Sequence, residues 1–147
     1  MTMTYESFSP FASHPSAAAP HSILVVDDEP AFCVVLSEIL RSFGFVVHQA
    51  YNAKQALELL DSTTPDLILT DVMMPDIDGL SFVRRLRSEP IWSSIPTIVV
   101  SAKAEPKDIE ATREAGADGC LVKPFSAKEL RQTIHTFLGI DTGDELQ

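Results

Sequence analysis

Residues 67–80 read LILTDVMMPDIDGL. An unbroken apolar run stops on an acid, Asp71, and the chain then turns through proline, glycine and further acids. Burying a carboxylate at the end of an apolar strand is unfavourable unless something pairs with it. The rest of the chain therefore has to supply the partners.

Apolar runs and helical patterns alternate on both sides of this stretch. SILVV (22–26) is a short β-rich run followed by Asp27, Asp28 and Glu29. Pro30 suits the first turn of a helix, and Phe32, Val35, Leu36, Ile39 and Leu40 recur at helical spacing until Gly44 ends the pattern. FVVHQA (45–50) predicts a second strand, AKQALELLDS (53–62) a helix, DLILTD (66–71) a third strand and GLSFVRRLRSE (79–89) a third helix. After the loop PIWSSI, PTIVVSA (96–102) predicts a fourth strand, and a weaker helix follows over 106–115. Gly116 and Gly119 bracket the turn into a last strand, CLV (120–122), and Ser126 caps a final helix through about Leu138. Five strands alternating with five helices predict an α/β fold, doubly wound, with a mostly parallel sheet and right-handed crossovers. Strands that read as continuous apolar runs fit a sheet covered on both faces.

At 147 residues, 45% apolar and 22% charged, the chain has the balance of one globular domain with a real core. A net charge of -10 argues against nonspecific binding to nucleic acid or anionic lipid and favours a cation or a basic partner. No apolar run is long enough to span a membrane, and the first 20 residues lack a basic, then apolar, secretory pattern. Their Ser, Ala and Pro content predicts a disordered tail over 1–20, a working domain over 21–140 and a short second tail over 141–147. Cys33 and Cys120 have no metal-like spacing and are expected as reduced thiols in a cytoplasmic protein's core. His48 and His135 likewise lack ligand spacing and are expected to be ordinary surface or core histidines.

Ligands of open parallel sheets bind at the carboxyl ends of the strands. There the first strand offers Asp27 and Asp28, the third Asp71, the fourth Ser101 and the fifth Lys123. Carboxylates placed together repel unless a cation intervenes. An all-oxygen set implies a hard ion, and Mg²⁺ fits better than Ca²⁺, which needs a richer cage. The plainer reading, that Asp27 and Asp28 only cap the first helix, suits one acid better than the whole set. An aspartate can accept a phosphoryl group as a covalent aspartyl-phosphate, with Mg²⁺, Lys123 and the Ser101 hydroxyl stabilising the transferred charge. A cis bond at Pro124 would aim Lys123 inward.

ILVVDDE (23–29), LILTDVMMPDIDGL (67–80), PTIVVSA (96–102) and GADGCLVKPF (116–125), in that order and spacing, resemble a response-regulator receiver domain of the chemotaxis-regulator type. The resemblance covers essentially all of 21–140 and implies a flavodoxin-like fold. It implies that Asp71 is the phosphoacceptor and that Asp27 and Asp28 organise Mg²⁺, Asp28 directly and Asp27 through water. Met73 would lend a backbone carbonyl to the metal, Ser101 would move to hydrogen-bond the phosphoryl group, and Lys123 would pair with it. The implied donor is a histidine kinase, a phosphotransfer domain or a small molecule such as acetyl phosphate. Donor proteins would dock on the first helix, around Pro30 to Leu40. The target would bind the fourth helix, fifth strand and fifth helix, roughly Pro106 to Leu138, with the chain a monomer or weak homodimer. No output domain is expected after the fifth helix, so the module would be stand-alone or excised from a longer regulator.

Departures from the common pattern bear on output and on lifetime. Cys120 stands where many receivers carry an aromatic that swings inward on activation, so output is expected through Ser101, the following loop and the fourth helix. Met73 and Lys103, each two residues beyond a site residue, flank the path of the water that would attack an acyl phosphate. Methionine cannot orient that water by a strong hydrogen bond, whereas Lys103 can shield the phosphoryl group, so a long-lived phosphoryl form is expected. Two other functions compete with the leading one. An aspartate-nucleophile phosphatase would carry a DxDx[TV] motif on the first strand, which VVDDEP lacks. A phosphorylation-independent adaptor on a receiver scaffold would be expected to have lost an acid or the lysine.

Overall fold

A computed structural model describes residues 20–74 and 76–140 of the chain. The expected terminal tails lie, apart from Pro20, outside the described residues. Ten elements alternate as the apolar pattern predicts: β1 Ser22–Val26, α1 Pro30–Ser42, β2 Val46–Ala50, α2 Ala53–Ser62, β3 Leu67–Asp71, α3 Gly79–Ser88, β4 Thr97–Ser101, α4 Pro106–Ala115, β5 Gly119–Val122 and α5 Ala127–Leu138. The strands form one parallel sheet in the order β2-β1-β3-β4-β5. This is the flavodoxin-like order, in which the chain winds outward from β1 to β2 and then the opposite way through β3, β4 and β5. It leaves a crevice at the carboxyl ends of β1 and β3, the topological switch point.

Successive strand residues point to opposite faces, and both faces are covered. Ile23, Val25, Leu67 and Leu69 pack beneath Cys33, Leu36 and Leu40 of α1 and Leu130 and Ile134 of α5. Leu24, Val26 and Ile68 face the other way, onto Ala53, Ala56 and Leu60 of α2 and Phe82 and Leu86 of α3. Trp92 and Ile95, in the loop before β4, are buried in this second core. That loop therefore supplies core as well as connection.

The boundaries differ from the sequence pattern by single residues, for local reasons. Phe45 does not join β2, because its N–H donates to the Leu40 carbonyl at the end of α1. Asp66 stands just outside β3, where its N–H donates to the Ser22 carbonyl while its carboxylate accepts from the Ser22 N–H at 2.7 Å. Glu89 leaves α3 in an extended conformation, as a residue preceding proline prefers. Ser126 caps α5 as its sequence predicts, in a reciprocal capping box with Glu129.

At the end of the sheet away from the crevice, Arg87 of α3 ties several segments together. Its guanidinium donates to the carbonyls of Gly116 and Ile95 and to the Asp118 carboxylate. That carboxylate also accepts from the Thr97 N–H at 2.8 Å, at the start of β4. The far ends of α3, α4 and β4 are thereby fastened at one point.

Candidate functional site

Strand register brings the acids together. Val26 of β1 pairs with Thr70 of β3, so the next residues, Asp27 and Asp71, stand level at the mouth of the crevice. One carboxylate oxygen from each of Asp27, Asp28 and Asp71 lies within 4.8 Å of the others. Asp27 is almost fully buried at 2% exposure, Asp71 is half-buried and Asp28 is exposed. Asp27 does not cap α1: its Oδ1 accepts the N–H of Glu29 at 2.8 Å, and Glu29 is itself the residue that opens the helix.

Lys123 follows β5 and is joined to β4 by its N–H, which donates to the Ser101 carbonyl at 2.8 Å. The Lys123–Pro124 peptide is cis, as the sequence anticipates. Nζ of Lys123 lies 3.9 Å from both Asp27 Oδ2 and Asp71 Oδ1, within ionic reach of two carboxylates. Ser101, the last residue of β4, is buried, and its Oγ accepts the Lys103 N–H at 2.9 Å. The hydroxyl proton can still be donated elsewhere. Met73 lies in the loop after β3 with 64% of its surface exposed.

The electrostatics follow from this packing. Burial raises the Asp27 pKa to about 6, the Glu29 N–H opposes the rise, and the charge of Asp71 adds to it. The Asp71 pKa is raised mainly by burial, against the pull of Lys123 and the backbone N–H groups of Val72 and Met73. One ammonium among three clustered carboxylates leaves negative charge uncompensated, and every donor is a hard oxygen. Such a set fits a small divalent cation better than a soft transition metal.

Two contributors escape a reading of the sequence alone. A Cβ placed on Gly79 would lie 2.0 Å from the carbonyl oxygen of Asp71, and the Gly79 N–H donates to the Val72 carbonyl at 2.8 Å. The Asp–Gly pair is a visible signal, but only the close approach shows why glycine is required. Phe32 reads as one more apolar residue of α1, yet its ring centroid lies 4.2 Å from Nζ of Lys123. Of the cysteines, Cys33 is buried and Cys120 only half-buried. Cys120 lines a cavity of about 160 Å³ between α4 and β5, with Ile109, Thr112 and Arg113. His135 is a core residue, with its ring edge-on to Phe45 at 6.4 Å, and His48 is half-buried on β2.

Comparison with known proteins places this architecture. A family profile described as "Response regulator receiver domain" matches residues 23–135. The chain belongs to that family. The receiver is 34% identical over 117 residues to the transcriptional regulatory protein TrcR of Mycobacterium tuberculosis, a match covering 80% of this chain and 45% of that protein. It thus spans about half the length of the curated regulators it matches, or less. Among solved structures, it is similar to a putative response regulator from Chloroflexus aurantiacus J-10-fl at a TM-score of 0.78 and 32% identity, covering 82% of this chain and 98% of the other. It is also similar, at a TM-score of 0.76 and 32% identity, to the receiver domain of the sensor histidine kinase PA1611 from Pseudomonas aeruginosa PAO1. That match covers 82% of this chain and 99% of the other, whose structure holds a magnesium ion coordinated in its active site cleft. In this receiver no helix among the described residues is long and apolar enough to cross a membrane.

The site sets two expectations. Gly79→Ala should displace the loop after Asp71 and weaken whatever affinity the acidic cluster has for a divalent cation, as calorimetric titration with Mg²⁺ would read, while the helical content stays near wild type. The second concerns pH. Because the folded pKa of Asp27 lies above its ordinary value of 3.8, the stability linked to this group is present below that value and is lost as pH rises through about 6. In metal-free protein, Asp27→Asn should therefore raise stability at pH 7.5 by about 1–3 kcal/mol, at about 1.4 kcal/mol per pKa unit. It should also flatten the decline between about pH 4 and 6.5, as urea unfolding at each pH would measure.

Proposed function

We propose that this receiver accepts a phosphoryl group on Asp71 and changes its partner binding as a result. The observation that carries the proposal is the meeting of Asp27, Asp28 and Asp71 at one sheet edge, with the Lys123 ammonium 3.9 Å from both Asp27 and Asp71. The donor would be a histidine kinase or a phosphotransfer domain, the partners characteristic of receivers. A carboxylate oxygen of Asp71 attacks phosphorus, the P–N bond to the donor imidazole breaks, and its electron pair stays with the imidazole nitrogen, which takes up a proton. The product is an acyl phosphate, and later attack by water on phosphorus regenerates the carboxylate and releases inorganic phosphate.

Mg²⁺ would be held by Asp27, Asp28, Asp71 and the Met73 carbonyl, where it supplies positive charge to the transferring phosphoryl oxygens. Lys123 pairs with the new phosphoryl group, and the Ser101 hydroxyl donates to it. The chain's own chemistry is limited to gaining and losing this group, as suits a cytoplasmic signalling module rather than an enzyme with turnover. The donor would meet α1, and the target the face formed by α4, β5 and α5. With a thiol at position 120, the state of Asp71 would reach that face through Ser101 and the loop leading to α4.

Phosphotransfer profiling with candidate kinases and phosphotransfer domains tests the assignment. Label should appear on the wild-type chain with its cognate donor and be absent from Asp71→Asn. If no donor labels the wild type and beryllofluoride with Mg²⁺ leaves it unchanged, the adaptor reading replaces this one. Lifetime is a separate test. Because the exposed Met73 side chain offers attacking water no strong hydrogen bond, Met73→Asn should shorten the phosphoryl half-life several-fold, as decay of the labelled protein would show.

A further inference from the structure

Lys123 is held from two sides. On one side stand the carboxylates of Asp27 and Asp71, each 3.9 Å from Nζ, beyond ordinary hydrogen-bond reach. On the other lies the ring of Phe32, 4.2 Å from Nζ at its centroid. This is close cation–π geometry, in which the negative face of the ring attracts the ammonium. Phe32 packs against the core beneath α1 and α5, and Leu36, one helical turn later, is buried in that core. The ring is thus anchored by the helix. The lysine side chain is only 25% exposed, so the attraction acts with reduced screening by water.

We propose that Phe32 is a positioning residue for phosphoryl binding, its ring holding the Lys123 ammonium toward Asp71. A lysine side chain has four rotatable bonds, and confining it before the phosphoryl group arrives removes part of the ordering cost at that step. Neither Asp27 nor Asp71 alone fixes it, because Nζ is equidistant from both. The ring supplies the third support and leaves the acid-facing side of the ammonium open. An aliphatic side chain at position 32 would fill much of the same volume without attracting a cation.

This inference rests on the phosphoacceptor reading, and beryllofluoride with Mg²⁺ separates the two. The wild type should bind the phosphoryl analogue. Phe32→Leu and Phe32→Met should bind it about threefold to thirtyfold more weakly, and Phe32→Tyr should bind within about twofold of the wild type because the π face is kept. Affinity for Mg²⁺ alone, measured by calorimetry, should be unchanged in all three variants. In NMR spectra the Lys123 Hε resonances should be ring-shifted upfield in wild type and Phe32→Tyr and lose that shift in the aliphatic variants.

Wild-type binding with equal or tighter binding by Phe32→Leu and Phe32→Met would overturn the inference and leave the phosphoacceptor reading standing. So would an equal loss of Mg²⁺ and beryllofluoride affinity, since the ring would then merely support the pocket's fold. A wild-type chain that ignores beryllofluoride would overturn both.

Discussion

A carboxylate almost excluded from water, set beside two others, is the constraint on which the structure turns. Asp27 is 2% exposed, and its charge lies in the field of Asp71. Left to itself, such a group would be moved to solvent or replaced by something neutral. Here it is fixed by backbone, with the Glu29 N–H on one oxygen and the β1–β3 register setting its distance from Asp71. The sheet, the crossover that leaves a crevice between β1 and β3, and the cores on both faces keep mutually repelling groups from drifting apart. Repulsion of this kind is relieved when a cation lies among the carboxylates.

Much of this is legible in the residues themselves. Unbroken apolar runs such as ILVV and LILT predict strands covered on both faces, and the alternating packing of Ile23 and Val25 against Leu24 and Val26 agrees. The residues that end each strand already gather Asp27, Asp28, Asp71 and Lys123 on one edge, and the fold brings these four together. What escapes is of two kinds. Gly79 and Phe32 owe their importance to distances between elements. A Cβ at position 79 would sit 2.0 Å from a carbonyl oxygen, and an ammonium lies 4.2 Å from the Phe32 ring; periodicity carries no information of that sort. Trp92 and Phe45 escape because a segment between elements can hold core and an apolar residue can lend its N–H to a helix end.

Cys120 places a small side chain at the edge of the α4–β5 surface. The thiol is half-buried, and burial raises its pKa, so it behaves as a small apolar group rather than as a nucleophile. It borders a cavity of about 160 Å³ between α4 and β5, beside Ile109, which is 44% exposed. A thiol has no ring to swing into that cavity. In the β4–α4 loop the Ser101 hydroxyl oxygen accepts the Lys103 N–H, so the last residue of β4 and the start of the loop share a hydrogen bond.

The Arg87 tie gives α4 two unequal ends. Its C-terminal end is fastened where the guanidinium grips the Gly116 carbonyl and the Asp118 carboxylate. Its first turn begins at Glu105, which makes no side-chain capping bond, a few residues after Ser101. Mechanically the helix resembles a lever with the Arg87 tie at its root and an uncapped first turn nearer the site. A push near Ser101 would then act on a lever held at its far end, and any displacement would be greatest in the first turn and smallest at Gly116.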